Sequence, residues 1–331
     1  MKTSKTGETM KTAKICLIML IPLYFINCKP STESLKLMNE AKETFGVIPA
    51  AMPGAENDSA ERVELGKTLY FDKALSVDDT ISCNSCHNLE NSGNGTDNAM
   101  VSTGVDGQKG GRNSPTVLNA GFHVAQFWDG RAADLKEQAK GPILNPIEMG
   151  MPDANAVIAK VKTNKKYLGL FKKAFPDAEE SITYDNLAEA IAAFERTLIT
   201  KDRFDDFING NARALTPDEQ TGLTHFMEKG CSSCHNGNLI GGNSYRKLGL
   251  ANEYTTTDVG RFEVTKATED KFVFKVPSLR NIANTGPYFH DGSIKTLEDA
   301  VKKMGWHQLD LKLSDEETSK IVLFLKALSA K

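Results

Sequence analysis

The stretches Cys83-Asn84-Ser85-Cys86-His87 and Cys231-Ser232-Ser233-Cys234-His235 share the pattern Cys-x-x-Cys-His and decide the fold. This pattern is the attachment site of c-type haem, in which two thiols bond to the porphyrin and the histidine ligates its iron. A redox dithiol or half of a zinc site also uses Cys-x-x-Cys, but neither needs a histidine directly after the second cysteine. The sequence therefore predicts two covalently attached haems and a function in electron transfer.

The composition is typical of a globular protein with room for two domains. The chain of 331 residues is 40% hydrophobic and 25% charged, and its formal net charge is -3. No run of basic residues accompanies that charge, so no nucleic-acid partner is expected. Four of the six cysteines belong to the two motifs. The other two, Cys16 and Cys28, lie in or just after an N-terminal apolar run, which leaves none for a structural disulfide.

The N-terminal apolar run, residues 15–26, follows Lys5, Lys11 and Lys14 and is too short to span a bilayer comfortably. It predicts a signal peptide over residues 1–28 and a periplasmic protein, because c-type haem is attached outside the bacterial cytoplasm. The residues before Cys28 resemble a loose lipobox, which predicts a lipoprotein tethered to the membrane through lipidated Cys28. The alternative is an ordinary cleaved signal with Cys28 incidental. Residues 29–44 are expected to form a polar tether.

From about residue 35 the pattern is helical and strand signals are sparse, which predicts a mainly α fold. Capping boxes start helices at Thr216 and Ser314, and the latter precedes a closing helix with apolar residues on one face: Ile321, Val322, Leu325 and Leu328. A helix, a Cys-x-x-Cys-His motif, loops and a closing helix are the plan of a cytochrome c domain. The plan occurs twice, over residues 45–199 and 200–331, each wrapped round one haem. The glycine-rich loop 88–113 is expected to be mobile or ligand-dependent.

The second haem has a candidate for its distal ligand in Met304. Thr296 is expected to cap a helix in which Leu297, Ala300, Val301 and Met304 share one face. An iron with histidine and methionine ligands has a raised potential and suits electron uptake. The alternative is a methionine that only fills the core.

The first haem has no nearby histidine or methionine that periodicity can place. Trp128, Gln138 and Glu148 follow its motif along the chain. An open iron that faces a carboxylate and an amide suits peroxide chemistry, because the carboxylate can move a proton between the two peroxide oxygens. Each residue also has a plainer interpretation: Glu148 as a solvated loop acid, Gln138 as a helix-surface residue and Trp128 as part of the core.

Beyond these motifs, the chain resembles the bacterial di-haem cytochrome c peroxidases over about residues 45–330. Two of the matching motifs are Gln126-Phe127-Trp128-Asp129-Gly130-Arg131 and Pro287-Tyr288-Phe289-His290-Asp291-Gly292. The others are residues 65–72, 83–87, 111–119, 137–142 and 231–235. The resemblance implies an enzyme that reduces hydrogen peroxide to water with electrons from a small donor cytochrome c or cupredoxin, and a homodimer.

The resemblance also implies roles for individual residues. His87 matches the proximal ligand of the peroxide-reducing haem, in an N-terminal peroxidatic domain, with Gln138 and Glu148 at its distal catalytic positions. Trp128 matches a tryptophan that helps electrons pass between the haems. In the C-terminal electron-transfer domain, His235 and Met304 match the axial pair of the electron-accepting haem. Asn113, with the backbone carbonyls of Thr285 and Pro287, matches a calcium site between the domains, and calcium prefers such oxygen ligands.

One position departs from the family pattern. Many members have a histidine in the glycine-rich loop, which ligates the peroxidatic iron in the oxidised enzyme and leaves when the other haem is reduced. Here the corresponding residue is Val105, which cannot bind iron, and residues 102–108 contain no histidine. We therefore expect the first haem to be open without reductive activation, unless Met100 substitutes as a ligand.

Two other functions stay open at this point. Related di-haem enzymes oxidise a protein substrate, but they have tyrosine where Met304 stands. A plain di-haem electron carrier would need a distal ligand for the first haem, and none is evident.

Overall fold

The computed structural model describes residues 1–4, 7, 30–90 and 93–330. The predicted signal peptide falls almost wholly outside these residues, as do Cys16 and Cys28. Within the described part of the chain, no helix is both long and apolar enough to cross a membrane.

The fold is mainly helical, as predicted, with one small sheet. Strands β1 (Tyr245–Lys247) and β2 (Val273–Lys275) pair in antiparallel fashion, with Tyr245 opposite Lys275. In chain order the α-helices are α1 (Thr32–Phe45), α2 (Ala60–Phe71), α3 (Cys83–Cys86), α4 (Leu135–Leu144), α5 (Ala154–Thr163), α6 (Lys165–Ala174), α7 (Tyr184–Glu195), α8 (Arg203–Ile208), α9 (Pro217–Glu228), α10 (Phe262–Thr265), α11 (Leu297–Leu309) and α12 (Asp315–Ala327).

The helices form two units with separate apolar cores. In the N-terminal unit, α2 packs on α6 and α7, and α4 packs on α7. In the C-terminal unit, α9 packs on α12, and α11 also contacts α12. The capping boxes expected at Thr216 and Ser314 are present, and the face of α12 that carries Ile321 and Leu325 is buried.

A glycine allows the central helix crossing of each unit. A Cβ on Gly66 of α2 would lie 1.7 Å from the carbonyl oxygen of Ala190 in α7. A Cβ on Gly222 of α9 would lie 1.9 Å from the carbonyl oxygen of Lys320 in α12. Any larger residue would force the two helix backbones apart. The close crossing made by the helix that precedes each haem motif in the sequence therefore depends on glycine.

The two units repeat the same backbone geometry at matching positions. Phe127 and Phe289 have positive φ angles of 67° and 71°, and each precedes a glycine three residues later that also has positive φ. Asn119 and Asn281 are likewise left-handed, and their side-chain amides donate to the same Thr200 hydroxyl at 2.8 and 2.9 Å. The units are therefore structural copies whose equivalent loops meet at one interface.

The segment expected to be a tether is instead mostly helical. α1 begins after the N-cap Ser31 and packs on α8 and α9 of the C-terminal unit. Ala41 and Phe45 are buried in that unit's core, where Phe45 contacts Phe204. The predicted polar tether over 29–44 and the predicted start of the N-terminal domain at residue 45 are thus corrected. Apolar residues at helical spacing in this segment outweigh its polar composition.

Candidate haem centres

Two hydrogen bonds hold the first Cys-x-x-Cys-His motif, one at the backbone carbonyl of His87 and one at its imidazole ring. The side-chain hydroxyl of Tyr70 donates to the carbonyl oxygen of His87 at 2.6 Å. The Nδ1 atom of His87 lies 2.9 Å from the carbonyl oxygen of Pro115. When Nδ1 donates to that carbonyl, the lone pair is on Nε2, which is the arrangement of a proximal iron ligand. Burial lowers the pKa of His87, so the ring is held in the neutral, ligating form.

The second motif opens onto a cavity of about 230 Å³. The motif forms a short turn over Cys231–Ser233, and His235 follows it. His235 lines the cavity together with Met304 of α11, whose helix is capped by Thr296 as expected. Burial lowers the pKa of His235 to about 4, against smaller opposing effects of the backbone at Ile240 and Pro277. Its Nδ1 atom is buried without a hydrogen-bond partner of good geometry in the described structure.

The chemistry of the thiols fits haem attachment better than the rival sites. Burial raises the pKa of Cys86 and of Cys231 to about 11, whereas a reactive dithiol needs a lowered thiol pKa. The four described cysteines form no disulfide with one another. Across the described ranges, no three His, Cys, Asp or Glu side chains converge as a zinc site requires. The residues present therefore fit two c-type haems.

Glu148 lies half-buried and close to the first motif. Its negative charge contributes to the raised pKa of Cys86. Burial raises the pKa of Glu148, while Arg131 and a 2.9 Å hydrogen bond from Asn145 oppose that rise. Gln138 lies half-buried on α4, in the same unit. Glu148 is therefore not the solvated loop acid of the plainer interpretation.

The loop that contains Val105 is fastened to the segment that contains Glu148. Val105 is 2% exposed, and its backbone N–H donates to the carbonyl oxygen of Glu148 at 2.9 Å. A Cβ on Gly104 would lie 2.1 Å from the carbonyl oxygen of Ile147, so only glycine allows this approach. The side chain at position 105 is therefore packed beside the candidate catalytic acid.

Trp128 lies at the interface of the two units. Its indole Nε1 donates to the carbonyl oxygen of Asn113 at 2.9 Å, and its own carbonyl accepts from the N–H of Lys275 at 2.7 Å. Its ring is edge-on to His290 with centroids 6.5 Å apart. Trp128 also lines the cavity of the second motif. The structure thus places Trp128 and the second candidate haem site together.

The three predicted calcium ligands lie along the same cavity. Asn113, Thr285 and Pro287 all line it. The side-chain amide nitrogen of Asn113 donates to the carbonyl oxygen of Ala99 at 2.9 Å. An amide oxygen and backbone carbonyls are acceptable ligands for calcium.

Sequence reasoning missed the ion cluster that joins the two units. The guanidinium of Arg112 donates to both oxygens of Asp258, at 2.6 and 2.7 Å, and to Asp129 at 2.5 Å. Arg112 lies inside a segment that carried the family resemblance, but no local pattern identifies its partners. Asp258 is 146 positions away along the chain.

The fold and its two motifs define a di-haem c-type cytochrome, and comparisons with known proteins identify the family. A family model described as di-haem cytochrome c peroxidase matches residues 60–213, and one described as cytochrome c matches residues 219–329. The chain is 44% identical over 310 residues to the cytochrome c551 peroxidase of Pseudomonas aeruginosa, covering 91% of this chain and 89% of that protein. It is 48% identical over 294 residues to the cytochrome c551 peroxidase of Nitrosomonas europaea, covering 87% of this chain and 85% of that protein.

Among solved structures, a MauG-like protein associated with microbial copper homeostasis is 30% identical, with a TM-score of 0.75. The match covers 86% of this chain and 94% of that protein. The chain belongs to the di-haem cytochrome c peroxidase family, a family of oxidoreductases.

Proposed function

We propose that this protein reduces hydrogen peroxide to two waters, with two electrons from a small donor cytochrome c or cupredoxin and two protons from solvent. The observation that carries the proposal is the half-buried carboxyl of Glu148 near the first haem motif, with its raised pKa. When bound, the two haems supply the electron transfer and the iron-centred reduction. Membership of the di-haem peroxidase family supports this assignment.

The distal residues have separate tasks in this mechanism. Glu148 accepts a proton from the peroxide oxygen nearer the first haem and returns it to the departing oxygen as water forms. Gln138 holds the peroxide in place through a hydrogen bond from its side-chain amide. We assign His87 as the proximal ligand at this centre.

The second centre stores and delivers electrons. His235 and Met304 would hold the iron of the second haem, because both line one cavity in the C-terminal unit. Trp128 lines the same cavity, and its indole N–H donates a hydrogen bond to the backbone carbonyl of Asn113 in the N-terminal unit. This position supports a role for Trp128 in electron transfer between the haems.

We further propose that the first haem is open in the oxidised protein. Val105 stands where many family members have a ligating histidine, and it is packed against the Glu148 segment. The test is steady-state peroxide reduction with a reduced small cytochrome c, using protein that has not been reduced beforehand. Immediate turnover and a high-spin ferric component are expected. A fully low-spin ferric spectrum, or turnover only after pre-reduction, would refute the open site.

We also propose that the protein binds calcium, is exported to the periplasm and forms a homodimer. Asn113, Thr285 and Pro287 would hold calcium between the units, and chelation followed by calcium titration tests this. Export to the periplasm and lipidation of Cys28 are tested by mass spectrometry of the mature protein from membrane and soluble fractions. Sedimentation measures whether the protein is a homodimer.

A further inference from the structure

A buried lysine and a half-buried histidine meet across the domain interface, on the wall of the second cavity. Lys275, at the end of β2 in the C-terminal unit, is only 6% exposed. Its ammonium nitrogen lies 3.0 Å from the Nδ1 atom of His123 in the N-terminal unit. Both residues line the cavity that also contains His235 and Met304.

The pair has no acidic partner of its own in the part of the chain that the structure describes. The salt bridges found there include none to Lys275, and burial alone lowers the pKa of this lysine to about 8. A pKa of 8 still leaves the ammonium mostly protonated at neutral pH. A buried charge without a counter-charge costs several kcal/mol. The cavity must therefore receive a negative group for this arrangement to be stable.

The imidazole ring of His123 adds a second hydrogen-bond donor. Because Lys275 donates to Nδ1 of His123, the ring hydrogen is on Nε2. That Nε2 atom is buried and has no hydrogen-bond partner among the described residues. The ammonium keeps two N–H donors beyond the one it gives to His123. Together with the imidazole Nε2–H on the same cavity wall, they match the two oxygens of a carboxylate.

We propose that Lys275 and His123 together bind a propionate carboxylate of the second haem. The proposal rests on the proposed placement of that haem in this cavity. Since His123 and Lys275 come from different units, the propionate would also fasten the two units together. A positive charge beside the haem favours its reduced state, so Lys275 would help to keep the potential of this centre high.

The test is the midpoint potential of the second haem in protein that contains both haems. In Lys275→Met, we expect the equilibrium constant for one-electron reduction to fall by about tenfold, which equals about 59 mV. Lys275→Arg keeps the charge and should restore most of the loss. Lys312→Met is the matched control, because Lys312 is exposed on the loop after α11 in the same unit. Equal potentials in Lys275→Met, Lys312→Met and wild type would overturn the proposal.

A second measurement serves if Lys275→Met does not take up both haems. Redox-induced infrared difference spectra of Lys275→Gln and wild type, with isotope-labelled haem propionates, report on the carboxylate directly. A propionate band that shifts in the variant supports the contact, and an unshifted band refutes it. If a small external carboxylate fills the site instead, the wild-type potential will depend on added acetate, which also refutes the proposal. The haem absorption spectrum reports separately whether histidine and methionine ligate the iron, so failure of that placement is distinguishable.

Discussion

Glu148 combines a half-buried carboxyl with a neighbouring cation, Arg131, and its protonation should control turnover. We expect Glu148→Gln to lower kcat by about 100- to 10,000-fold, because an amide cannot move the proton between the peroxide oxygens. The measurement is steady-state peroxide reduction by protein with both haems bound. Glu179→Gln is the control, since Glu179 is exposed in the same unit. A kcat for Glu148→Gln within a few-fold of the control would remove Glu148 from the catalytic role.

Arg131 should set the pH at which Glu148 becomes active. Burial raises the pKa of Glu148 and the charge of Arg131 lowers it. As a base, Glu148 works when deprotonated, so activity should fall as the pH drops through its pKa. Arg131→Gln removes the lowering effect, and the acid limb of the kcat/KM profile should then move to higher pH. A limb that stays in place or moves to lower pH would contradict this assignment.

Val105 offers a direct test of the open first haem. We expect Val105→His to place an imidazole beside the first iron and convert its ferric spectrum to low-spin. Turnover of the oxidised variant should then show a lag that pre-reduction removes. Val124→His is the control, because Val124 is 51% exposed. A ferric spectrum identical to that of wild type would mean that position 105 does not reach the iron.

At the scale of elements, α1 is an integral part of the C-terminal unit. Phe45 is 1% exposed and packs edge-on against Phe204, with ring centroids 5.5 Å apart. We expect Phe45→Ala to lower the free energy of unfolding by about 3–5 kcal/mol, as large-to-small core changes do. Denaturant unfolding followed at the second haem measures the change. Leu35→Ala is the control, because Leu35 is on the same helix but 40% exposed. Equal losses in both variants would mean that α1 does not pack as described.

The helices were predictable where the signals are local. The capping boxes at Thr216 and Ser314 and the face of α12 with Ile321 depend only on residues within one helix, and they are present as expected. The prediction of a tether over residues 29–44 was wrong. Polar composition favours a tether, but Ala41 and Phe45 are spaced so that both lie on the buried face of α1. The repeated loops share the sequence Phe-x-Asp-Gly at residues 127–130 and 289–292, which is not a hydrophobic period and so predicts no helix or strand.

At the scale of the whole molecule, the contacts between units could not be predicted from the sequence. Lys275 and His123 are 152 positions apart, and neither belongs to a spacing pattern that indicates the other. Each haem motif consists of five consecutive residues, so its chemistry can be predicted from the sequence. The ion cluster at the interface depends instead on how the two units dock. The equivalent loops that meet there bring Trp128 against His290 and both asparagines onto Thr200.

Arg112 is the residue through which that docking can be tested. It joins Asp129 of the N-terminal unit to Asp258 of the C-terminal unit, and Asp129 is only 2% exposed. We expect Arg112→Leu to lower the free energy of unfolding at pH 7 by about 3–5 kcal/mol, because it removes the bidentate partner of Asp258 and one of the two arginines paired with Asp129. Since Trp128 lies beside this cluster, electron transfer between the haems should also slow. Stopped-flow reduction, observed separately at each haem, measures that rate.

The pH dependence of the Arg112→Leu variant distinguishes lost pairing from general damage. Burial raises the pKa of Asp258, but hydrogen bonds and the charge of Arg112 outweigh it and hold the pKa below the usual range. In wild type, this pairing stabilises the fold above the unfolded pKa and is lost as the pH falls through the lower folded pKa. Without Arg112, burial is opposed only by the Gly260 backbone hydrogen bond and by His290, so the folded pKa of Asp258 rises and the stability deficit should shrink as acid protonates the carboxyl. Arg203→Leu breaks a pair within the C-terminal unit and should leave the rate between haems unchanged. A deficit in Arg112→Leu that is equal at pH 4 and pH 7 would show that lost packing, not lost pairing, destabilises the interface.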